Sequence, residues 1–341
     1  MNRSLIVHRA GPGVSVQDLG RAGYLAFGLS RGGAADRLAL YEGAALLGQS
    51  ETLAALELAS IGGEFEASED IRIALTGGRM RALVDGEKIA WNASYMLTKG
   101  QTLSIGAAEA GSYGYLHIGG GIATPEVLGG RSSHQAAGLG ASLVSGQHLA
   151  IGADTQGETG MTLVSDTRYT GGTVRIVKSL QTDFFAPSEI ARFEATEFRR
   201  DTRGNRMGVR VLSDGQGFKS DAGLSVLSEV IVPGDIQITG DGTPFVLLSE
   251  CQTTGGYPRI GSVLPADLPK VAQAQPGATL RFVFVSLSQA VEIERREKAC
   301  RGGLRGKVEP LIRDPRSIPD LLSYQLIGGM SAGDEFEKDN T

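Results

Sequence analysis

Ile71-Arg72-Ile73-Ala74-Leu75, followed at once by Thr76-Gly77-Gly78, is a short apolar run closed by a glycine turn, and the second half of the chain repeats the arrangement. There Pro244-Phe245-Val246-Leu247-Leu248 leads to Thr254-Gly255-Gly256. Gly100-Gln101-Thr102-Leu103 opens the next run 23 residues beyond Gly77, and Gly277-Ala278-Thr279-Leu280 does the same 22 residues beyond Gly255. Glu57 precedes Gly62 by five residues, as Glu229 precedes Gly234. Shared spacing of turn glycines around strands is what two copies of one β fold leave behind. The reading is two similar β domains, 1–165 and 166–290, joined near Gly157 to Gly172, where Gly, Thr and Ser cluster.

Further runs, Thr102-Leu103-Ser104-Ile105, Thr173-Val174-Arg175-Ile176-Val177 and Thr279 to Val285, alternate with period two, placing one face on a core and one toward solvent. Helices are few. One is expected to start at Asp36, with Leu38, Tyr41 and Ala45 on one face, and to end near Gly48; another begins at Asp267 and stops before Pro276-Gly277. Beyond residue 290 the character changes: Ala290 to Ala299 reads as a charged amphipathic helix, and Asp320-Leu321-Leu322 as the start of a shorter one. Ser331 to Thr341 is acidic and polar and is expected to be disordered, so 291–341 forms a separate extension.

The chain has 341 residues, 49 of them Gly, with no Gly-X-Y period; many glycines without low complexity point to many tight turns and a mainly β fold. A formal net charge of −5 argues against a nucleic-acid binder. Two cysteines, Cys251 and Cys300, give no disulfide framework, and four scattered histidines show no ligand spacing, so no metal site is expected. Met1 to Ala10 lacks the apolar core of a signal peptide and no stretch approaches transmembrane length, which suggests a reducing, cytoplasmic setting without membrane contact.

The densest polar cluster is Gln252-Thr253-Thr254-Gly255-Gly256-Tyr257, after the run ending at Leu248. Its hydroxyls, amide and bare glycine N–H groups suit an anionic or carbonyl-bearing ligand; a β-turn with Tyr257 packed on the barrel is the other reading. In Gln17-Asp18-Leu19-Gly20-Arg21, Asp18 and Arg21 form either a structural ion pair or an anion clamp with an acid–base partner. Asn205-Arg206-Met207-Gly208-Val209-Arg210 read as strand puts Arg206 and Arg210 on one face, where both meet one anion or both face solvent. Arg131-Ser132 after Gly129-Gly130 is an anion contact or a turn, and Asp36 and Asp267 are well placed as helix caps. Glu57 and Glu229, at equivalent repeat positions, share a structural or a catalytic role, and Trp91 reads as packing. Phosphate-loop and nucleophile-elbow motifs are absent, and no Met-Lys-Met biotin attachment site occurs.

Taken in order, these clusters carry a resemblance. Ser15 to Tyr24, Gly28-Leu29-Ser30, Gly33-Ala34-Ala35-Asp36-Arg37, Ala55-Leu56-Glu57, Gly119-Gly120-Gly121-Ile122, Gly129 to Ser132, Asn205 to Arg210, Ser228-Glu229, Pro233-Gly234, Ile236-Gln237, Gln252 to Tyr257, Asp267 and Ala272-Gln273 together resemble one family, that of the 5-oxoprolinase C subunit and the biotin-dependent carboxyltransferase domain of urea amidolyase, also described as allophanate hydrolase subunit 2-like. The resemblance runs from about residue 10 to 285. It implies two cyclophilin-like β-barrel domains with a few short helices. It further implies action with B-type and A-type subunits on a small amide or lactam, 5-oxoproline being opened to glutamate at the expense of ATP bound by the complex. The alternatives it carries are a carboxyltransferase acting on urea with biotin supplied by another chain, and a non-catalytic regulatory partner of a B-type subunit. In the enzymatic setting Asp18, Arg21, Arg206 and Arg210 are the expected catalytic residues. Gln17, Arg131, Ser132, Gln237 and Gln252 to Tyr257 are then the expected substrate-binding ones. Three positions depart from the family pattern: Ser179-Leu180-Gln181 where Gly-Pro-Gln is usual, Gly146-Gln147 where Gly-Asp is usual, and Ser249-Glu250-Cys251 in place of an Asp.

Overall fold

The alternating runs become strands. The computed structural model describes residues 3–164 and 166–312, so the expected short helix at Asp320 and the tail from Ser331 lie outside the described residues. In the first half a nine-stranded sheet runs in the order Ser15–Gln17, Ala55–Ala59, Thr102–Ile118, Gly63–Ala67, Ser4–Ala10, His148–Ala150. Ile71–Val84 pairs antiparallel with Thr102–Ile118 and carries Glu87–Ile89 and Ser94–Leu97 on its other side. The register between the two long strands shifts at Gly77, whose φ of 71° only glycine takes without strain, and the sheet bends there into a half-barrel.

The second half closes. Gly172–Val177, Arg259–Val263, Asp235–Ile238, Pro244–Leu247, Gly208–Leu212, Phe198–Asn205 and Thr279–Phe284 form a seven-stranded barrel in that order. Its closing pair, Gly172–Val177 with Thr279–Phe284, is parallel. Phe193, Phe198, Phe218 and Phe282 cluster at its base, Phe193 lying 5.0 to 5.3 Å from the other three rings. Mainly β architecture with four α-helices of 6 to 16 residues among the described residues matches the composition. No helix of the described residues is long and apolar enough to cross a membrane.

The two halves share a core. Ala35, Ala39, Leu40, Tyr113 and Tyr115 of the first half join Val246, Ile260, Val271 and Leu280 of the barrel in one buried cluster. Helix α1 (Arg37–Leu47) begins and ends as the sequence expects: Asp36 accepts from the N–H groups of Leu38 and Ala39, and Gly48 closes it in the left-handed region. Asp36 also binds the second half, because its other oxygen accepts from Arg168 at 2.8 Å and from Gln273 at 2.8 Å. The outer helices are α2 (Pro187–Ala195) and α4 (Leu287–Gly302), the latter started by a Ser286/Gln289 capping box. Gln273, on the short helix α3 (Leu268–Gln273), takes the N–H groups of Ser112 and Tyr113 on its carbonyl and donates to Asp36 and Tyr113 O, so a fully buried amide has every bond filled. Asp267 stands at the N-cap of α3, but its carboxylate turns to Arg175 instead of capping.

Gly43, in the middle of α1, lies on the His117 ring: a Cβ there would come within 2.3 Å of it. Gly→Ala inside a helix ordinarily adds about 1 kcal/mol of stability. Here overpacking of a closed core, worth about 1–3 kcal/mol, reverses the sign. Gly43→Ala is therefore expected to lower the urea midpoint, and a raised midpoint would refute the close approach.

Candidate functional site

A hairpin tip reaches from the barrel into the first half. Strands Phe198–Asn205 and Gly208–Leu212 pair Asn205 with Gly208, leaving Arg206-Met207 as a two-residue turn. Asn205 Oδ1 accepts from Met207 N at 2.8 Å, an Asx turn that ends the strand. This corrects the single-strand reading of Asn205 to Arg210. Arg206 and Arg210 do not share a face. Arg210 lies on the barrel exterior, bonded to Asp241 and, at 3.0 Å, to Thr243. Asp241 in turn is held down at about 2, first by its hydrogen bond from Thr239.

Arg206 enters the seam between the halves. Its Nε donates to Glu250 at 2.6 Å, while its terminal nitrogens bond Glu57 and the carbonyl of Gly33. Burial depresses the guanidinium, and Glu57 and Glu250 more than reverse it, so Arg206 stays charged. Glu57 is itself tied down by the Ala35 N–H and the Tyr115 hydroxyl, both at 2.7 Å. Glu250, one of the departures from the family pattern, thus supplies a carboxylate inside this cluster. Glu57 and Glu229 are alike in spacing but not in setting: Glu57 is fully buried, whereas Glu229 is a half-exposed partner of Arg259.

Beside this triad lies a cavity of about 400 Å³, bordered by Arg206, Glu250, Tyr113, Ser112, Gln135 and Arg200. Arg200 is not among the residues expected from sequence. It is 7% exposed, and Nη1 donates to Asp201 O at 3.0 Å, but Nε is buried without a partner. Burial lowers its pKa, with only Tyr113 and Asp201 opposing. Gly204 makes room for it, since a Cβ there would stand 2.7 Å from Nη2. Tyr113 has its phenol pushed up to about 12, by burial first and then by Glu57, so it remains a hydroxyl donor at neutral pH. Arg200 and Tyr113 both border this cavity, and a guanidinium and a neutral phenol there can receive a carbonyl oxygen or carboxylate and stabilise charge that develops on it.

The other expected site residues fall into two separate groups. In the first, Asp18 accepts from the N–H groups of Gly20 (2.8 Å) and Arg131 (2.6 Å) rather than pairing with Arg21. Arg21 donates to Val127 O, Ser132 Oγ and Gly130 O, and Gln17 donates to Ser15 and Ser133. Arg131 bonds the Thr124 carbonyl through its side chain. Asp18 and Arg21 do not pair with each other, and both brace the 124–133 loop, Asp18 through the Arg131 N–H and Arg21 through two backbone carbonyls and the Ser132 hydroxyl. In the second group, Thr254-Gly255 pairs with Glu229-Val230, the Thr253 and Gly256 carbonyls accept from Ile231 and Val226, and Gln252 and Tyr257 are exposed. Gln237 lies beneath Gly255 with Nε2 buried and unpartnered, 2.5 Å from where a Cβ would be. Of the four expected catalytic residues only Arg206 borders the cavity, and the Gln252–Tyr257 turn does not. Among the described residues no group of three or more His, Cys, Asp or Glu could hold a metal ion.

Comparison with known proteins agrees with this architecture. Over 299 residues the chain is 32% identical to the 5-oxoprolinase C subunit of Haemophilus influenzae, covering 86% of this chain and 96% of that protein. Over 292 residues it is 31% identical to the Escherichia coli protein of the same name, covering 84% and 93%. The crystal structure of K. lactis urea amidolyase shares the fold with a TM-score of 0.79 at 24% identity, over 92% of this chain but 21% of that one. Residues 27–284 match the family described as carboxyltransferase domain, subdomain A and B. With seven of the nine half-barrel strands and the whole closed barrel inside that span, the chain belongs to the carboxyltransferase domain, subdomain A and B, family.

Proposed function

We propose that this chain is the C subunit of an ATP-dependent 5-oxoprolinase, acting with A-type and B-type subunits to open 5-oxoproline to glutamate, and that the lactam sits in the cavity bordered by Arg200, Tyr113 and Arg206. The names of the two relatives above support the reaction. The observation that carries the site is Arg200. A guanidinium buried with an unsatisfied Nε costs stability, and such a cost is retained where a ligand satisfies it. A lactam offers a carbonyl and a carboxylate, both acceptors, to Arg200 and the Tyr113 hydroxyl. Arg206, already neutralised by Glu57 and Glu250, holds the wall in place. ATP supplies the driving force for breaking a stable amide and is assigned to the assembled complex.

The family description favours one second reading: transfer of a carboxyl group to urea or another amide, with biotin carried by another chain. The same orphaned donor suits the carboxylate that biotin delivers. A purely regulatory role would need neither.

The test is the complete complex with its A- and B-type partners, ATP and 5-oxoproline. Glutamate is expected, and Arg200→Met is expected to lower kcat/KM at least about tenfold while the complex still assembles and thermal stability holds or rises. No glutamate from the wild-type complex rejects the reading; carboxylation of urea with a biotinylated carrier selects the second. Partner binding without turnover of either substrate selects regulation.

A further inference from the structure

A second cavity, of about 280 Å³, lies where α1, the Pro265–Pro269 segment and the last turns of α4 meet. Three arginines border it: Arg31, Arg37 and Arg301. Arg37 has its Nε buried with no hydrogen-bond partner among the described residues. Arg301 stands over the Tyr41 ring, 5.5 Å from its centroid, and Arg31 uses Nε alone, on Leu19 O at 2.9 Å. Glu297 is the one carboxylate in the lining, against three arginines. Burial, and after it the charge of Arg31, lowers the Arg37 pKa; Tyr41 opposes, and Arg301 lowers it further. Like charges gathered in a partly desolvated hollow repel unless something neutralises them. The N–H groups of Leu38 and Ala39 at the start of α1 are already taken by Asp36, so a neutralising group is held by side chains. Leu38, Pro265, Leu268 and Pro269 give the lining an apolar part, and Ser249 adds a buried hydroxyl with no hydrogen-bond partner among the described residues.

We propose that this cavity is a binding site for a small organic anion, its carboxylate or phosphate held by Arg37 and Arg301 and its apolar body lying against Leu38 and Leu268. Arg31, Arg37, Leu38 and Leu268 lie within the family match at 27–284, and α4, beyond its end, adds Glu297 and Arg301 to the lining. The site is separate from the cavity of Arg200 and is tested without an activity assay.

Calorimetric titration of the full chain with phenyl phosphate, benzoate, inorganic phosphate and benzyl alcohol reads it directly. Phenyl phosphate or benzoate is expected to bind saturably, with inorganic phosphate and benzyl alcohol at least about tenfold weaker. A preference for phenyl phosphate assigns a phosphate ligand, and a preference for benzoate a carboxylate. Arg37→Met and Arg301→Met are each expected to weaken that binding at least about tenfold. Arg301 is only partly buried on the last turn of α4, so its variant keeps the fold even if Arg37→Met does not. The proposal is overturned if neither aromatic anion binds, if benzyl alcohol or inorganic phosphate binds as tightly as they do, or if the folded Arg301→Met chain binds like the wild type.

Discussion

Replacing Arg206 by methionine is expected to cost the fold about 3–5 kcal/mol, the largest stability loss foreseen for any single change here. The side chain bridges the halves: Glu57 lies in the strand Ala55–Ala59 of the first, Glu250 follows the barrel strand ending at Leu247, and Gly33 precedes α1. Methionine fills a similar volume, so the loss comes from charge. Glu57 is fully buried and Glu250 nearly so, and without the guanidinium both carboxylates face one another in a site water barely reaches. Adding Glu57→Gln and Glu250→Gln to Arg206→Met removes the uncompensated charges and is expected to recover most of the loss. Urea unfolding of the wild type, the single and the triple variant separates the contributions. An Arg206→Met chain within about 1 kcal/mol of wild type would sink the bridge as a structural element.

How far this arrangement was legible in the sequence depends on which physics was local. Cap and turn chemistry is local: Asp36 to Gly48 reads as a helix with both ends, and the period-two runs at Thr173 and Thr279 read as strands, all as found. The turn at Arg206 was missed although its signal was present, since Asn205 is an Asx-turn residue directly before it. Arg200 was missed because a charged residue between Arg199 and Asp201 reads as a solvated strand face. Period two does offer a clue: Phe198 and Arg200 share a face, and both are buried. Phe198 packs on the barrel's own aromatic cluster, but Arg200 meets Tyr113 of the other half, a proximity between positions far apart in the chain. Asp18 and Arg21 illustrate the reverse. Their types suit catalysis, yet the loop at 124–133 supplies backbone partners that no spacing rule reveals.

His117 gives the fold an acid sensitivity that a single substitution should remove. Its ring is buried against α1 and accepts no charge easily: burial pulls its pKa down to about 3. The Thr76 hydroxyl donates to Ala39 O at 3.0 Å, so its contact with His117 Nε2 at 2.7 Å must be one in which the imidazole Nε2–H donates, which assigns the neutral tautomer. In the unfolded chain the same imidazole titrates near about 6.5. As pH falls below that value the unfolded state therefore takes up a proton that the folded state refuses. The contribution is fully present above about pH 6.5 and is lost progressively as pH falls toward 3. Between about pH 7 and pH 4 the loss from this one group is on the order of 3 kcal/mol. Glutamine places an amide N–H near the position of Nε2 and does not titrate. His117→Gln is thus expected to be less stable than wild type at about pH 7, through imperfect packing beside Gly43, and to overtake it by about pH 4. Stability curves of the two chains measured by urea unfolding across that range should cross. Parallel curves would mean that His117 takes up its proton in the folded state as readily as in the unfolded one, and the buried neutral imidazole would have to be abandoned.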